Sequence, residues 1–332
     1  MIISRTPFRI SFFGGGTDYP AFYEEHGGAV LSTSINKYCY VICRYLPPFF
    51  DYNYRIRYRK QEEVRSISEI EHPAVRECLN FVNLNHGVEI QHNADLPAMS
   101  GLGSSSAFTV GLLNTLNALQ GKMVTKRQLA LDAIHVEQDM IRENVGSQDQ
   151  TIAAFGGFNK IEFGGTQEIS VHPVTLDQGK IALLQKHLML FFTGFPRNAS
   201  EIAGEQIRKT PEKKTELKMM MKMVYEAIAT LSGIDDRIID FGKLLHESWM
   251  LKRSLTQQIT NASIDEIYDA GMESGALGGK LLGAGGGGFM LFFVKPELQQ
   301  NVREKLNKLL YVPFNFHDLG SQIIYYAPEK NF

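Results

Sequence analysis

The residues best suited to bind phosphate lie at positions 97–107, which read Pro-Ala-Met-Ser-Gly-Leu-Gly-Ser-Ser-Ser-Ala. Gly101 and Gly103 lack a Cβ atom, so the backbone there can approach a ligand closely and adopt positive φ angles. The serines that follow open a helical pattern, and the unpaired N–H groups at the start of a helix favour an anion. The pattern predicts a phosphate-binding loop, with a glycine turn before an ordinary capped helix as the alternative.

Two carboxylates stand beside turns that could present them to a ligand. Asp18 ends the loop Gly-Gly-Gly-Thr-Asp, where small side chains let a polar ligand reach the backbone, although these residues also favour ordinary turns. Asp149 follows the polar turn Gly-Ser-Gln and enters the apolar region Ile-Ala-Ala-Phe. A carboxylate that enters a buried region must be paired, hydrogen-bonded or coordinated. Asp149 is therefore a strong candidate for chemistry, with capping of the following helix as the alternative.

A second glycine-rich stretch, Gly283-Ala-Gly-Gly-Gly-Gly, precedes a predicted strand at 289–294. It matches the GxGxxG pattern of dinucleotide sites, but that pattern requires a strand before it and a helix after it. Here a strand follows the glycines instead of a helix, so the pattern does not indicate a dinucleotide site. A Walker A loop is excluded because no GxxxxGK[ST] sequence occurs, and the HRD and DFG triplets of protein kinases do not occur either.

Hydrophobic periodicity and glycine or proline boundaries predict the elements that must position these residues. We expect strands at 2–13 with a break at Pro7, and at 29–46, 54–58, 88–92, 160–174, 188–192, 289–294 and 322–326. We expect helices at 73–86, from the serines of the phosphate loop to Gly121, and at 125–142, 200–209, 211–231, 235–256 and 296–309. Thr125 is the expected N-cap of its helix.

Composition excludes several classes of protein. The net charge of −2 gives no electrostatic footprint for nucleic acid. The three cysteines show no metal-ligand spacing, no apolar run is long enough to span a membrane, and no signal peptide is evident. We expect a cytoplasmic protein without a membrane or nucleic-acid partner. With 332 residues, the chain is expected to form two domains, at 1–175 and 176–332.

Together, three stretches of the sequence resemble the small-molecule kinase superfamily of galactokinase, homoserine kinase, mevalonate kinase and phosphomevalonate kinase. These stretches are residues 7–18, 97–107 and 280–289, which occur in the family order. The Gly-Gly-Gly-Thr-Asp and Gly-Ser-Gln-Asp-Gln forms look most like D-glycero-D-manno-heptose phosphate kinases, with L-fucokinase domains next. Galactokinases carry Gly-Glu-His-Thr-Asp in the first motif, whereas glycines stand at 15 and 16 here, which argues against galactose.

The resemblance implies an α+β, two-domain kinase fold with the active site in the cleft between the domains, and it implies Mg²⁺ and ATP as cofactors. The implied nucleotide-binding residues are Ser100, Gly101, Leu102, Gly103, Ser104, Ser105 and Ser106. Ser105 and Glu137 would bind the metal, Asp149 would be the base, and Arg9 would polarise the reacting oxygen. The implied substrate-binding residues are Gly15, Gly16, Asp18, Gly285 and Gly286, and Arg197 is added to them as a candidate partner of a substrate phosphate.

The reaction implied is phosphorylation of the anomeric hydroxyl of a heptose phosphate, D-glycero-D-manno-heptose 7-phosphate, by a monomer or homodimer. Its pathway role would be the supply of nucleotide-activated heptose for surface polysaccharide. The alternatives are an L-fucokinase-like or other sugar-1-kinase, an ATP-dependent decarboxylase, and a non-catalytic sensor of sugar and ATP. An acceptor that already carries a phosphate also requires a cation, for which Arg197 or the row Arg55, Arg57 and Arg59 are candidates.

Overall fold

The computed structural model describes residues 1–84, 86–165, 169–194, 199–233 and 237–328, with Ala199 described by its backbone alone. The described strands are β1 (Ile2–Phe13), β2 (Gly28–Tyr45), β3 (Tyr54–Arg57), β4 (Gln61–Val64), β5 (Val88–Ala94), β6 (Phe158–Phe163), β7 (Ile169–Pro173), β8 (Leu188–Phe192), β9 (Ala276–Leu281), β10 (Phe289–Val294), β11 (Leu310–Tyr311) and β12 (Gln322–Tyr326). The described α-helices are α1 (Pro20–His26), α2 (Pro73–Val82), α3 (Ser104–Leu119), α4 (Lys126–His135), α5 (Gln148–Phe155), α6 (Gln178–Lys186), α7 (Ala199–Lys209), α8 (Lys214–Ser232), α9 (Ile238–Arg253), α10 (Ala262–Glu273) and α11 (Gln299–Lys305). None of these helices is both long and apolar enough to cross a membrane.

The larger sheet is built around β2, a long strand that pairs with different neighbours along its length. The strand order is β12-β1-β2-β5-β3-β4, and β6 pairs with the first part of β2 and with β7. Pairing is antiparallel except between β3 and β5. The predicted break at Pro7 is wrong, because β1 continues through it and Pro7 stands opposite Tyr38. The register instead shifts between Pro7 and Arg9.

The smaller sheet has the order β11-β8-β10-β9 and lies within the second half of the chain. Its strand β10 reads Phe-Met-Leu-Phe-Phe-Val, and every residue of it is buried, which is why the apolar run predicts a strand without alternation. The expected boundary near residue 175 falls between β7 and β8, which belong to different sheets. The last strand, β12, nevertheless returns to the larger sheet beside β1.

One continuous hydrophobic cluster joins the two sheets. Phe12 and Phe13 of β1 meet Phe241 of α9 edge-on, with ring centroids 5.6 and 5.2 Å apart. Phe241 also contacts Phe293 of β10, at 6.2 Å. Buried aromatic contacts of this kind fix the two halves against each other, so the site between them is formed on a packed base.

Candidate active site

A cavity between the two halves of the chain is lined by most of the residues that the sequence singles out. Of these, the lining includes Arg9, Gly15, Gly16, Asp18, Gly101, Gly103, Ser104, Ser105, Ser106 and Asp149. The second half of the chain contributes Gln206, Lys252, Lys280, Gly283 and Ala284, among others. The cavity therefore brings together the glycine loops and the carboxylates that are far apart in sequence.

The phosphate loop has the backbone that its glycines predict. Gly101 and Gly103 have φ angles of +79° and +75°, and α3 begins directly afterwards at Ser104. A Cβ atom on Gly103 would lie 3.3 Å from both Asp149 Oδ2 and Arg9 Cγ. The missing side chain at Gly103 thus makes room for the charged pair behind the loop, in addition to freeing the backbone.

The two glycine-rich loops lie backbone against backbone. A Cβ atom on Gly283 would lie 2.5 Å from the Cα of Gly101, and one on Gly288 would lie 2.7 Å from the carbonyl carbon of Ser100. Such distances are too short for any side chain, so glycine is required where the loops meet. The hydroxyl of Ser100 is buried without a hydrogen-bond partner. Ser100 and Leu102, both predicted to bind nucleotide, are not among the residues that line the cavity.

Arg9 and Asp149, which both line the cavity, form a bidentate ion pair. Arg9 Nε donates to Asp149 Oδ1 at 2.7 Å, and Arg9 Nη2 donates to Oδ2 at 2.6 Å. The remaining terminal nitrogen of Arg9 donates to the carbonyl oxygen of Gly101 at 2.6 Å. The register shift in β1 accompanies a bond from the Arg9 backbone N–H to the carbonyl oxygen of Leu102. Arg9 therefore connects the phosphate loop to Asp149 through both its backbone and its side chain.

Asp149 lies in the first turn of α5, but its side chain is committed to Arg9. The helix begins after Ser147, which makes no side-chain cap. A capping side chain would bond the backbone N–H groups of its own helix, whereas both oxygens of Asp149 accept from a guanidinium on β1. The hydrogen bonds therefore speak against the capping alternative, and the role of Asp149 as a base stays a prediction.

Asp18 is buried beside the Asp149 turn. Its Oδ1 accepts from the backbone N–H of Gly16 at 2.8 Å, and its carbonyl oxygen accepts from the N–H of Ser147. A Cβ atom on Gly146 would lie 2.7 Å from the Asp18 Cγ. Burial, together with the charge of Asp149, raises the pKa of Asp18, while the bond from Gly16 opposes that rise. The first motif and the Asp149 turn are therefore docked onto each other.

Glu137 lies beneath the phosphate loop, in a π-helical turn at Val136–Met140 that extends α4. It is 1% exposed and accepts hydrogen bonds from Ser106 Oγ at 2.8 Å, from Thr109 Oγ1 at 2.7 Å and from Gln150 Nε2. Burial raises the pKa of Glu137 to about 7, while the hydroxyl donors act in the opposite direction. The carboxylate is therefore held by neutral donors and has no cationic partner among these bonds.

Only one of the two predicted metal ligands lies on the cavity. Ser105 is exposed and lines the cavity, whereas Glu137 does not line it, and no described hydrogen bond joins the two. Mg²⁺ takes oxygen ligands and commonly binds through one or two protein groups, substrate phosphates and water. Within the described ranges, no group of three or more histidine, cysteine or acidic side chains could hold a metal. Serine and glutamate oxygens as metal ligands remain a prediction.

Two lysines that the sequence analysis did not single out for the site line the cavity. Lys252 in the last turn of α9 is 5% exposed, and Lys280 in β9 is 2% exposed. Lys280 Nζ donates to the Phe12 carbonyl oxygen at 2.7 Å, and Lys252 Nζ donates to that of Gly283. Burial lowers the pKa of Lys252 to about 8. Burial, followed by the charges of Lys252 and Arg9, lowers the pKa of Lys280 far below its usual value. Lys280 opens the third motif and could have been noticed there, whereas nothing in the sequence marks Lys252.

The arginine row on β3 does not face the cavity, so its interpretation as an anion clamp is not supported. Arg55 and Arg57 lie 3.5 and 3.3 Å from Glu89 Oε1, and Arg55 also pairs with Glu63. The strand ends at Arg57, so Arg59 is not part of the row. Arg55 and Arg57 therefore form ion pairs with carboxylates of their own sheet.

Two other predicted substrate residues, Gly285 and Gly286, lie outside the cavity lining. Gly286 donates its N–H to the Ile259 carbonyl oxygen at 2.9 Å, and a Cβ atom on Gly285 would lie 2.7 Å from the Ile259 Cα. Neither glycine lines the cavity. The residues of the second glycine-rich loop that do line it are Gly283 and Ala284. Arg197 lies outside the described residues.

The two domain models of one protein family match the chain: GHMP kinases N terminal domain matches residues 69–157, and GHMP kinases C terminal matches residues 226–312. Together they cover more than half of it. The D-glycero-alpha-D-manno-heptose 7-phosphate kinase of Campylobacter jejuni subsp. jejuni serotype O:2 is 29% identical over 319 residues, which is 92% of this chain and 93% of that protein.

Solved structures resemble the whole fold. A D-glycero-D-manno-heptose 1-phosphate kinase from Bacteroides thetaiotaomicron gives a TM-score of 0.77 at 24% identity, over 98% of this chain and 99% of the other. Lactococcus lactis galactokinase complexed with galactose gives 0.74 at 17% identity, over 97% and 94%. These likenesses confirm the expected two-domain kinase fold with its mixed helices and sheets.

Proposed function

The chain belongs to the GHMP kinases and is a small-molecule kinase, and on that premise we propose that it phosphorylates the anomeric hydroxyl of D-glycero-D-manno-heptose 7-phosphate with ATP. The observation that carries the proposal is the Arg9–Asp149 pair, which lies in the same cavity as the serines of the phosphate loop. Transfer of a phosphoryl group to a hydroxyl requires a base and a phosphate-binding loop that face the same cavity. The heptose kinase relative supports the choice of sugar.

The residues of the cavity divide the work of the proposed step. Ser104, Ser105 and the N-terminus of α3 hold the phosphates of ATP. Asp149, oriented by Arg9, accepts the proton of the sugar hydroxyl. At the same time the oxygen of that hydroxyl bonds to the γ-phosphorus of ATP, and the bond between the γ-phosphorus and the leaving ADP breaks. Asp18 accepts a hydrogen bond from another sugar hydroxyl. A magnesium ion, bound with the nucleotide through Ser105 and Glu137, would neutralise phosphate charge.

The test is a coupled measurement of ADP release over hexoses, heptoses and their phosphates at saturating Mg·ATP. We expect the highest kcat/KM for D-glycero-D-manno-heptose 7-phosphate, with weaker turnover of the unphosphorylated heptose. A preference for L-fucose would replace the proposal with a fucokinase activity. Binding of ATP and sugar without ADP release from any member of the panel would indicate a sensor and would overturn the kinase proposal.

A further inference from the structure

The cavity holds two cations that have no role in the proposed step. Lys252 and Lys280 both line it and are almost completely buried. The phosphate loop at 97–107 contains no lysine or arginine. The guanidinium of Arg9 is already engaged by Asp149 and Gly101. Arg9 thus uses three of its five side-chain donors on Asp149 and Gly101, whereas one hydrogen bond is described for each lysine ammonium group.

Close backbone packing holds both lysines in place. A Cβ atom on Gly278 of β9 would lie 2.8 Å from the backbone nitrogen of His246 on α9, and one on Gly242 would lie 2.5 Å from Phe293 Cδ1. Helix α9 thus rests directly on β9. Its last turn, with Lys252, is brought near the end of the strand that carries Lys280, and the charge of Lys252 lowers the pKa of Lys280.

Neither lysine is neutralised by a close carboxylate. Each ammonium group has three donors, and the hydrogen bonds described for each go to a single backbone carbonyl oxygen, of Gly283 for Lys252 and of Phe12 for Lys280. Within the described part of the chain, no acidic oxygen lies within 4.0 Å of either Nζ. Burying a charge without a partner is costly, so the protein keeps this arrangement at the expense of its stability.

We propose that Lys252 and Lys280 form a binding site for a phosphoryl group of the reactants, an inference that rests on the proposed function. Two ammonium groups complement the double negative charge of a phosphate monoester. Two sources of that group are compatible with the cavity: the phosphate that the sugar already carries, and the γ-phosphoryl group during its transfer. If the lysines bind the phosphate of the sugar, they take the role for which Arg55, Arg57 and Arg59 were candidates.

The competing explanation is structural. Through Phe12 and Gly283, the two ammonium groups tie β1 and the second glycine loop to the floor of the cavity. A lysine that serves only as a tether can be replaced by glutamine, which still donates a hydrogen bond but carries no charge. The substitutions Lys252→Gln and Lys280→Gln therefore separate charge from tethering. Lys252→Met and Lys280→Met remove both.

The matched control is Lys243→Met. Lys243 lies on the same helix as Lys252, but its side chain is 63% exposed and pairs with Asp240 outside the cavity. We expect the control to bind and turn over like the wild type. Steady-state kinetics with D-glycero-D-manno-heptose 7-phosphate and with the unphosphorylated heptose, at saturating Mg·ATP, then distinguish the two sources of the phosphoryl group.

If the lysines bind the phosphate of the sugar, the glutamine variants raise KM for the phosphorylated sugar by about 30-fold and leave kcat/KM for the free sugar unchanged. If they bind the group in transfer, kcat falls by about 10²-fold for both sugars and KM changes little. Both results support the site. Values within about threefold of the control for both sugars would overturn it.

Inorganic phosphate provides a readout that does not need activity. At constant ionic strength, phosphate in place of chloride should raise the Tm of the wild type and of Lys243→Met by more than it raises the Tm of the glutamine or methionine variants that fold, in which only the phosphate loop remains to bind the anion. Equal shifts in all folded variants would overturn the site. If the wild type phosphorylates no sugar, the proposed function fails, and the phosphate-dependent Tm alone decides whether the lysines bind phosphate.

Discussion

At the scale of single residues, the proposed site depends on an ion pair that could not be predicted from the sequence. Arg9 and Asp149 were both candidates by type, yet they are separated by 140 positions, and nothing in the sequence indicates that they touch. Sequence reasoning gave Arg9 a role towards the reacting oxygen. In the structure its side chain orients the carboxylate and bonds the phosphate loop. The sequence therefore predicted both residues as candidates, but not the ion pair between them.

Asp149→Asn should lower kcat by about 10²–10⁴-fold, because an amide keeps the shape but cannot take the proton of the hydroxyl. The affinity for Mg·ATP should change little. Single-turnover phosphoryl transfer and nucleotide binding, measured on the same preparation, check this prediction. Asp139→Asn is the control, since Asp139 is exposed and pairs with His135 outside the cavity. Near-normal kcat in the Asp149 variant would show that the site works without this base.

Lys252→Met should stabilise the protein at pH 7 by about 1–3 kcal/mol, because the folded state then no longer buries a charge. The pKa of Lys252 is lowered from 10.5 to about 8, mainly by burial, with Arg9 adding to this and Asp18 and Asp149 opposing it. The unfolded chain therefore binds more protons between those values, and wild-type stability rises with pH from about 8 to 10.5. The advantage of the variant should disappear over the same range.

Urea unfolding of the wild type and of Lys252→Met at pH 7 and pH 10 measures this difference. Lys280 is present in both proteins, but the charge of Lys252 helps to lower its pKa. Loss of that repulsion in the variant therefore adds to the difference at pH 7 and disappears when Lys252 is neutral at pH 10. An equal free-energy gap at the two pH values would contradict the burial of a charged Lys252.

At the scale of elements, the sequence predicted the helix ends and caps, because residues close together in the chain determine them. Helix α3 begins at Ser104 and ends beside Gly121, whose φ is +72°, as its glycines indicated. The predicted cap of α4 is confirmed, since the Thr125 side chain accepts from the Gln128 N–H at 3.1 Å. Strand β9 was not predicted, because its sequence Ala-Leu-Gly-Gly-Lys-Leu contains glycines that weaken a strand. Because those glycines lack side chains, α9 and β10 can pack closely against β9. Hydrophobic periodicity cannot show such long-range contacts.

Gly103→Val should lower kcat by about 10²-fold and weaken ATP binding, because the new side chain meets the Arg9–Asp149 pair and the positive φ is unfavourable for valine. Gly121→Val is the control at the other end of α3, where φ is +72° and no heavy atom lies within 4 Å of the added Cβ. Circular dichroism should confirm that both variants fold. Unchanged kcat and ATP affinity in Gly103→Val would remove the loop from the site.

At the scale of the whole molecule, the expectation of two domains was only partly informative. Chain length predicted two cores, whereas the hydrophobic cluster is continuous across both sheets, and β12 returns to the larger one. Apolar patterns mark which residues are buried but not which other buried residues they meet, so Phe241 gave no sign that it bridges β1 and β10. The cavity is a product of this long-range packing.

Gly283→Ala should destabilise the protein by about 2–4 kcal/mol and raise KM for ATP, because its Cβ would meet the backbone of Gly101 and force the two glycine loops apart. Gly165→Ala separates clash from backbone strain, since Gly165 has the same φ of +77° but open space around its Cβ. Thermal and urea unfolding give the comparison. Equal losses of stability in the two variants would mean that the contact between the loops contributes nothing.

The most direct test of the proposed function is ³¹P NMR of the purified chain with Mg·ATP and D-glycero-D-manno-heptose 7-phosphate. The proposal predicts that the γ-phosphorus signal of ATP is replaced, in equal amount, by a new sugar phosphate signal coupled to the anomeric proton, while the signal of the original phosphate persists. Release of inorganic phosphate without a second sugar phosphate, or a new phosphate on any other hydroxyl, would contradict it.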